Sequence, residues 1–181
     1  MRLLTAIAAA MIAIWTPDLS HAGEGAYSGI YVKRAVLVVS DLERSLRLWR
    51  DVFGMKVESI STENQDSLAY DIFNVPKSAG LRFASLSAGP DQKRTLGIAE
   101  VTGVPLPPRE GIAAGGVVIN ANGRVPQLKL AIAEFGLTLM REKPLVTKEG
   151  ALGIESAFRD WDGNVIVFYD LPGTAPNPPK R

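Results

Sequence analysis

The sequence predicts an α+β fold built from two βαβββ modules, residues 29–102 and 113–171, with the same order of elements in each. Short runs of β-branched and apolar residues read as strands, and two longer stretches repeat their apolar residues every three or four positions, as helices do. The order strand, helix, strand, strand, strand occurs twice. Between the two occurrences, GVPLPPREG (Gly103–Gly111) carries three prolines, which hold a chain extended. Each unit alone would leave a sheet face uncovered; two together cover part of those faces and leave a concave surface suited to a small molecule.

The first 22 residues read as a secretory signal. Arg2 gives the positive start, Leu3 to Trp15 the apolar run, and Ser20-His21-Ala22 a small-x-small ending. Pro17 and Asp18 break the run short of a membrane span. Cleavage near Ala22, a periplasmic or secreted protein and no stable membrane insertion after processing are expected. After a Gly-rich segment, Tyr31–Val39 reads as a strand. Ser40 or Asp41 can cap the next helix, and Ser40 with Glu43 has the spacing of a capping box. Leu42, Leu46, Trp49 and Phe53 form one apolar helical face that Gly54 ends.

Met55–Ser59 is the second strand. A polar stretch then leads into a short helix over Ser67–Phe73, followed by strands at Leu81–Ser87 and Thr95–Val101. In the second module Gly115–Asn120 is a strand and Val125–Phe135 a helix, with Pro126 in its first turn and Gly136 as its stop. Leu137–Leu145, Ala157–Arg159 and Asn164–Tyr169 are strands, the last two joined by a tight turn at Asp160–Gly163. Residues 172–181 form a proline-rich tail.

Composition excludes much chemistry. The only histidine is His21, inside the leader, and the chain has no cysteine. Residues 23–181 therefore hold no disulfide, no thiol nucleophile and no Ser-His-Asp triad. The net charge is +1 and no Lys/Arg cluster stands out, so a nucleic-acid partner is not expected. No P-loop, G-x-G-x-x-G or G-x-S-x-G motif is present.

VLVVSDLERSLRLWRDVFGMKV resembles the opening motif of the vicinal oxygen chelate superfamily, which includes glyoxalase I, bleomycin-resistance proteins and extradiol dioxygenases. FRDWDGNVIVFYDL resembles its closing motif. The resemblance spans Tyr31–Leu171 and implies a curved mixed sheet around a central cup. It implies little about the reaction, since the superfamily includes isomerases, lyases, dioxygenases and binding proteins. Its metal-dependent members hold a divalent ion with one His or Glu from each of four strands. Matched by motif, those positions fall on Arg34, Glu100, Gly116 and Val167, one possible ligand of four; a shifted match could bring in Glu155, Asp160 or Asp162 for an all-oxygen site. No metal or other cofactor is expected.

If Arg34 and Glu100 both face the cup, they form a structural ion pair, bind a ligand, or divide a reaction in which Glu100 moves a proton and Arg34 steadies an oxyanion. Val36 and Val38 would share Arg34's face; Arg82, Asn120 and Tyr169 are further polar contacts, each dependent on register. Phe73 belongs to a lid or simply anchors a surface loop. The expected function is an exported, metal-independent binder of an aromatic or anionic small molecule. A lyase or isomerase, or a structural protein with a filled cup, stands as the alternative, and a homodimer fits any of these.

Overall fold

The computed structural model describes residues 31–109, 111–113, 115–148 and 150–171. The expectations for the leader and the tail fall outside them.

Two four-stranded mixed sheets make up the described residues. The first contains β1 (Ala35–Val39), β2 (Lys56–Thr62), β3 (Gly80–Ser87) and β4 (Leu96–Thr102), in the order β1-β4-β3-β2. The second contains β5 (Gly116–Asn120), β6 (Lys143–Val146), β7 (Leu152–Arg159) and β8 (Val165–Asp170), in the order β5-β8-β7-β6. In each the first strand runs parallel to the last and the other pairings are antiparallel. The twofold repeat expected from element order is thus present in the backbone.

Helix α1 (Leu42–Leu46) follows β1 and continues as a π-helical turn over Arg47–Val52. Asp41, not Ser40, is the cap, accepting from the Arg44 N–H at 2.9 Å. Ser40 is drawn away because its hydroxyl donates to Asp162 at 2.6 Å. The wider turn is closed by the Phe53 N–H on the Leu48 carbonyl, and both Leu48 and Trp49 lie in the core. A second short helix, α2 (Leu68–Ile72), is capped by Ser67, and α3 (Val125–Glu134) carries Pro126 in its first turn as expected. The stretch Leu137–Leu145 is corrected: only Lys143–Val146 is strand, with Leu139 touching Phe158 by a single bridge.

One core joins the two modules. Leu37, Val39, Leu86, Leu96 and Ile98 of the first sheet pack with α1, with Val125, Leu128 and Ile132 of α3, and with Phe158, Ile166 and Phe168 of the second sheet. Phe53 stacks on Trp49 at 5.0 Å and on Phe158 at 6.3 Å, and meets Phe168 edge-on at 6.5 Å. The helix of one module therefore rests on the sheet of the other. A second cluster covers the opposite face of the first sheet, where Leu81, Ala99 and Val101 pack under Tyr70, with Phe73, Val75, Val104 and Leu106 around them. Phe73 is thus part of an apolar cover.

The β7–β8 turn locks onto the edge of β1. Asp160 accepts from the Asp162 N–H, the Asn164 N–H and the Asn164 side chain at 3.0, 2.8 and 2.7 Å. Burial nonetheless pushes its carboxyl above the ordinary value. Asn164 also donates to the Val38 carbonyl at 3.2 Å and accepts from Arg109. Asp162 reaches across to Arg44 at 3.1 Å, whose guanidinium lies 4.9 Å from the Trp161 ring. Asp160 serves its turn, whereas Asp162 fastens the second module to the first.

Candidate functional site

Strand register decides which side chains share a face. Leu37, Val39, Leu96 and Ile98 face the helices, so Val36, Val38, Gly97 and Ala99 face the other way. Val36 pairs with Gly97, and Val118 occupies the same place in the second module, paired with Val167. By that internal equivalence the first-module counterpart of Val167 is Gly97, not Glu100. The four positions become Arg34, Gly97, Gly116 and Val167, with no carboxylate among them. They do not fit a divalent ion, and the space above Gly97 is already taken. A Cβ there would lie 2.5 Å from the Phe83 ring and 2.9 Å from Cδ of Arg34, and the Arg34 guanidinium sits 5.2 Å over that ring. Gly97→Ala should therefore cost about 1–3 kcal/mol through overpacking, measured by urea unfolding; an unchanged midpoint would refute the close approach. Among the described residues no three His, Cys, Asp or Glu side chains gather, and Glu155, Asp160 and Asp162 do not converge.

Arg34 and Glu100 are not brought together. Arg34 precedes β1 beside Thr95, while Glu100 pairs with Val39 at the far end of the same strands, about five residues or roughly 16 Å away. Glu100 faces the helices. It accepts from Arg82 at 2.5 and 3.1 Å and from the Leu42 N–H at 2.8 Å, at the start of α1. The Arg82 bond is the main reason its carboxyl is held below the ordinary range; burial opposes this and the Leu42 N–H assists. A carboxylate so held is a poor proton acceptor near neutral pH. Arg82 also reaches Glu43 at 3.4 Å. The expected cup pair is replaced by an Arg82–Glu100 brace under the helix.

The remaining expected residues separate. Val36 is 36% exposed, and Val38 packs into the cover of the first sheet. Tyr169 lies in β8 between Asn120 and Glu155, on the face turned from the helices. Asn120 spends its side-chain oxygen on the Asn122 N–H at 2.9 Å.

Arg34 and Asn120 both line a cleft of about 730 Å³ along the seam between the modules. Its apolar wall includes Trp49, Phe53, Met55 and Leu128. Lys33, Arg34 and Arg124 are its charged lining residues, and no described Asp or Glu lines it. Arg34 donates its Nε to the Arg94 carbonyl at 3.0 Å, and Arg124 donates to the Phe53 carbonyl at 3.1 Å. Asp170, near the start of α3, is occupied by the Gly123 and Val125 N–H groups at 2.7 and 3.0 Å. Trp49 is 1% exposed, and its indole N–H has no acceptor among the described residues. Sequence reading assigned Trp49 to helix packing and passed over Arg124. The only signal for the latter was a cation placed just before a helix, and nothing in sequence puts it on the same cleft as Arg34.

The family model described as the Glyoxalase/Bleomycin resistance protein/Dioxygenase superfamily matches residues 31–168. No curated protein matches the chain. Among solved structures, a glyoxalase family protein from Bacillus cereus is 14% identical with a TM-score of 0.59, over 82% of this chain and 100% of its own. A glyoxalase/bleomycin resistance protein/dioxygenase domain from Frankia is 18% identical with a TM-score of 0.54, over 81% and 99%. The fosfomycin resistance protein FosX of Listeria monocytogenes is 14% identical with a TM-score of 0.51, over 80% and 94%. At these identities the likeness is one of fold.

Proposed function

We propose, from the premise that this chain belongs to the glyoxalase/bleomycin resistance protein/dioxygenase superfamily, that it is an exported small-molecule-binding protein that works without a metal. The observation that carries this reading is the set of residues at the four liganding positions. Arg34, Gly97, Gly116 and Val167 offer no anionic or imidazole donor, and Arg34 places a permanent cation where an ion would sit. The engagement of Glu100 by Arg82 and the start of α1 favours binding over proton-transfer chemistry. The N-terminal pattern supports export.

One preparation tests both parts. Protein purified natively from fractionated cells, without a metal-binding tag, should lie in the exported fraction and begin at Gly23 by intact mass. It should carry far less than one divalent ion per chain by elemental mass spectrometry, before and after incubation with Mn2+ or Zn2+. A near-stoichiometric ion would overturn metal independence, and a chain retaining its first 22 residues in the cytoplasm would overturn export.

A further inference from the structure

We infer that the seam cleft binds a flat organic monoanion, an aromatic carboxylate or sulfonate, with its acid group at Arg34 and Arg124 and its ring system against Met55 and the open edge of β5 at Val117 and Val118. This rests on the binding reading above and gives it a place and a ligand class. The volume of about 730 Å³ falls within the range of small-molecule sites. Among the described residues the charged lining is cationic only, and the nearby carboxylate of Asp170 is held by backbone N–H groups, so an anion entering beside Arg34 and Arg124 meets attraction.

Each arginine is steadied by a bond to a backbone carbonyl: Arg34 through Nε and Arg124 through one terminal nitrogen. Both Arg34 terminal nitrogens have no acceptor among the described residues. A planar guanidinium fixed in this way presents donors in the geometry that a carboxylate or sulfonate accepts. The apolar wall selects for ring surface over a small inorganic ion.

The test uses the full chain and two fluorescent probes of similar shape, 8-anilinonaphthalene-1-sulfonate and the neutral N-phenyl-1-naphthylamine. The sulfonate should saturate a single site, with a dissociation constant that rises with salt while the neutral probe's does not. Arg34→Gln with Arg124→Gln should weaken the sulfonate about tenfold and the neutral probe less than about twofold. Ala88→Trp, at an exposed residue on the cleft lining, should exclude both probes. Arg47→Gln, exposed on α1's end and off the cleft, should change neither.

Equal loss of both probes in the double arginine variant would overturn the inference, as would sulfonate binding that ignores salt or survives Ala88→Trp. The salt series needs only the wild-type chain, so it decides even where a variant does not fold. Metal content separately decides the binding reading. A metal-bearing protein that selects the sulfonate keeps the cleft site and loses metal independence; a metal-free protein indifferent to the two arginines does the reverse.

Discussion

Phe158→Ala is expected to lower the stability of both modules together, by about 3–5 kcal/mol. The ring is fully buried, stacked on Phe53 at 6.3 Å and edge-on to Phe168 at 6.2 Å. Truncation removes transfer energy and leaves a cavity that its neighbours can fill only in part, because Phe53 is held by Trp49 on one side and Phe168 is fixed in β8. Phe158 belongs to the second sheet, but the rings it supports close the helix of the first module. Loss should therefore register in a single urea transition, with the tryptophan signal in near-ultraviolet circular dichroism and the far-ultraviolet signal moving together. A melting shift of about 6–20 °C is expected for a domain of this size. Two separated transitions, the second at the wild-type midpoint, would show that the modules hold themselves up independently and that the shared aromatic cluster contributes little.

That dependence of one module on the other marks the limit of what sequence could say. Elements set by local spacing were legible. Leu42, Leu46, Trp49 and Phe53 are all in the core, Pro126 and Gly136 bracket α3, and Asp160–Gly163 is a turn. The π-helical turn was not, because the 4-3-4 spacing fits an α-helix equally well. The cap on Asp41 depended on Ser40 being claimed by Asp162, more than a hundred residues away. Leu137–Leu145 has the composition of a strand, yet only its end pairs continuously with β7, Leu139 adding a single bridge to Phe158.

The site suffered most from register. Strand side chains alternate, so an odd offset places a residue on the other face, and Glu100 lies three residues beyond Gly97. Nothing local marked Gly97 as the equivalent of Val167; pairing with Val36 did. One clue was present. Arg82 and Glu100 are the only charged residues within two largely apolar runs, Leu81–Ser87 and Thr95–Val101, which favours their meeting across adjacent strands rather than serving separate tasks.

Glu100→Gln is accordingly expected to damage folding and spare binding. The wild-type carboxylate takes two bonds from Arg82 and one from the Leu42 N–H, so one buried group ties β3, β4 and the start of α1. An amide keeps an oxygen for Leu42 but turns N–H groups toward the guanidinium. With Arg82 half-exposed, the cost falls below that of a fully buried pair, at about 2–3 kcal/mol. The pH dependence supplies an independent signature. Because the folded protein holds this carboxyl below its unfolded value, the unfolded chain binds more protons as the solution acidifies. The stabilisation is complete above the ordinary glutamate value, near 4.5, and is lost as pH falls through the depressed folded value. Urea midpoints measured downward from pH 7 should thus begin to converge for wild type and Glu100→Gln as the pH falls below the ordinary glutamate value, and meet only below the depressed folded one. Asp160 has the opposite sign: its carboxyl is raised by burial, so its contribution weakens as pH rises from 3.8 through its folded value, and it cannot mimic the convergence. Sulfonate-probe binding by folded Glu100→Gln at neutral pH should match wild type. Wild-type stability with binding abolished would place Glu100 in the ligand site and remove it from the brace under α1.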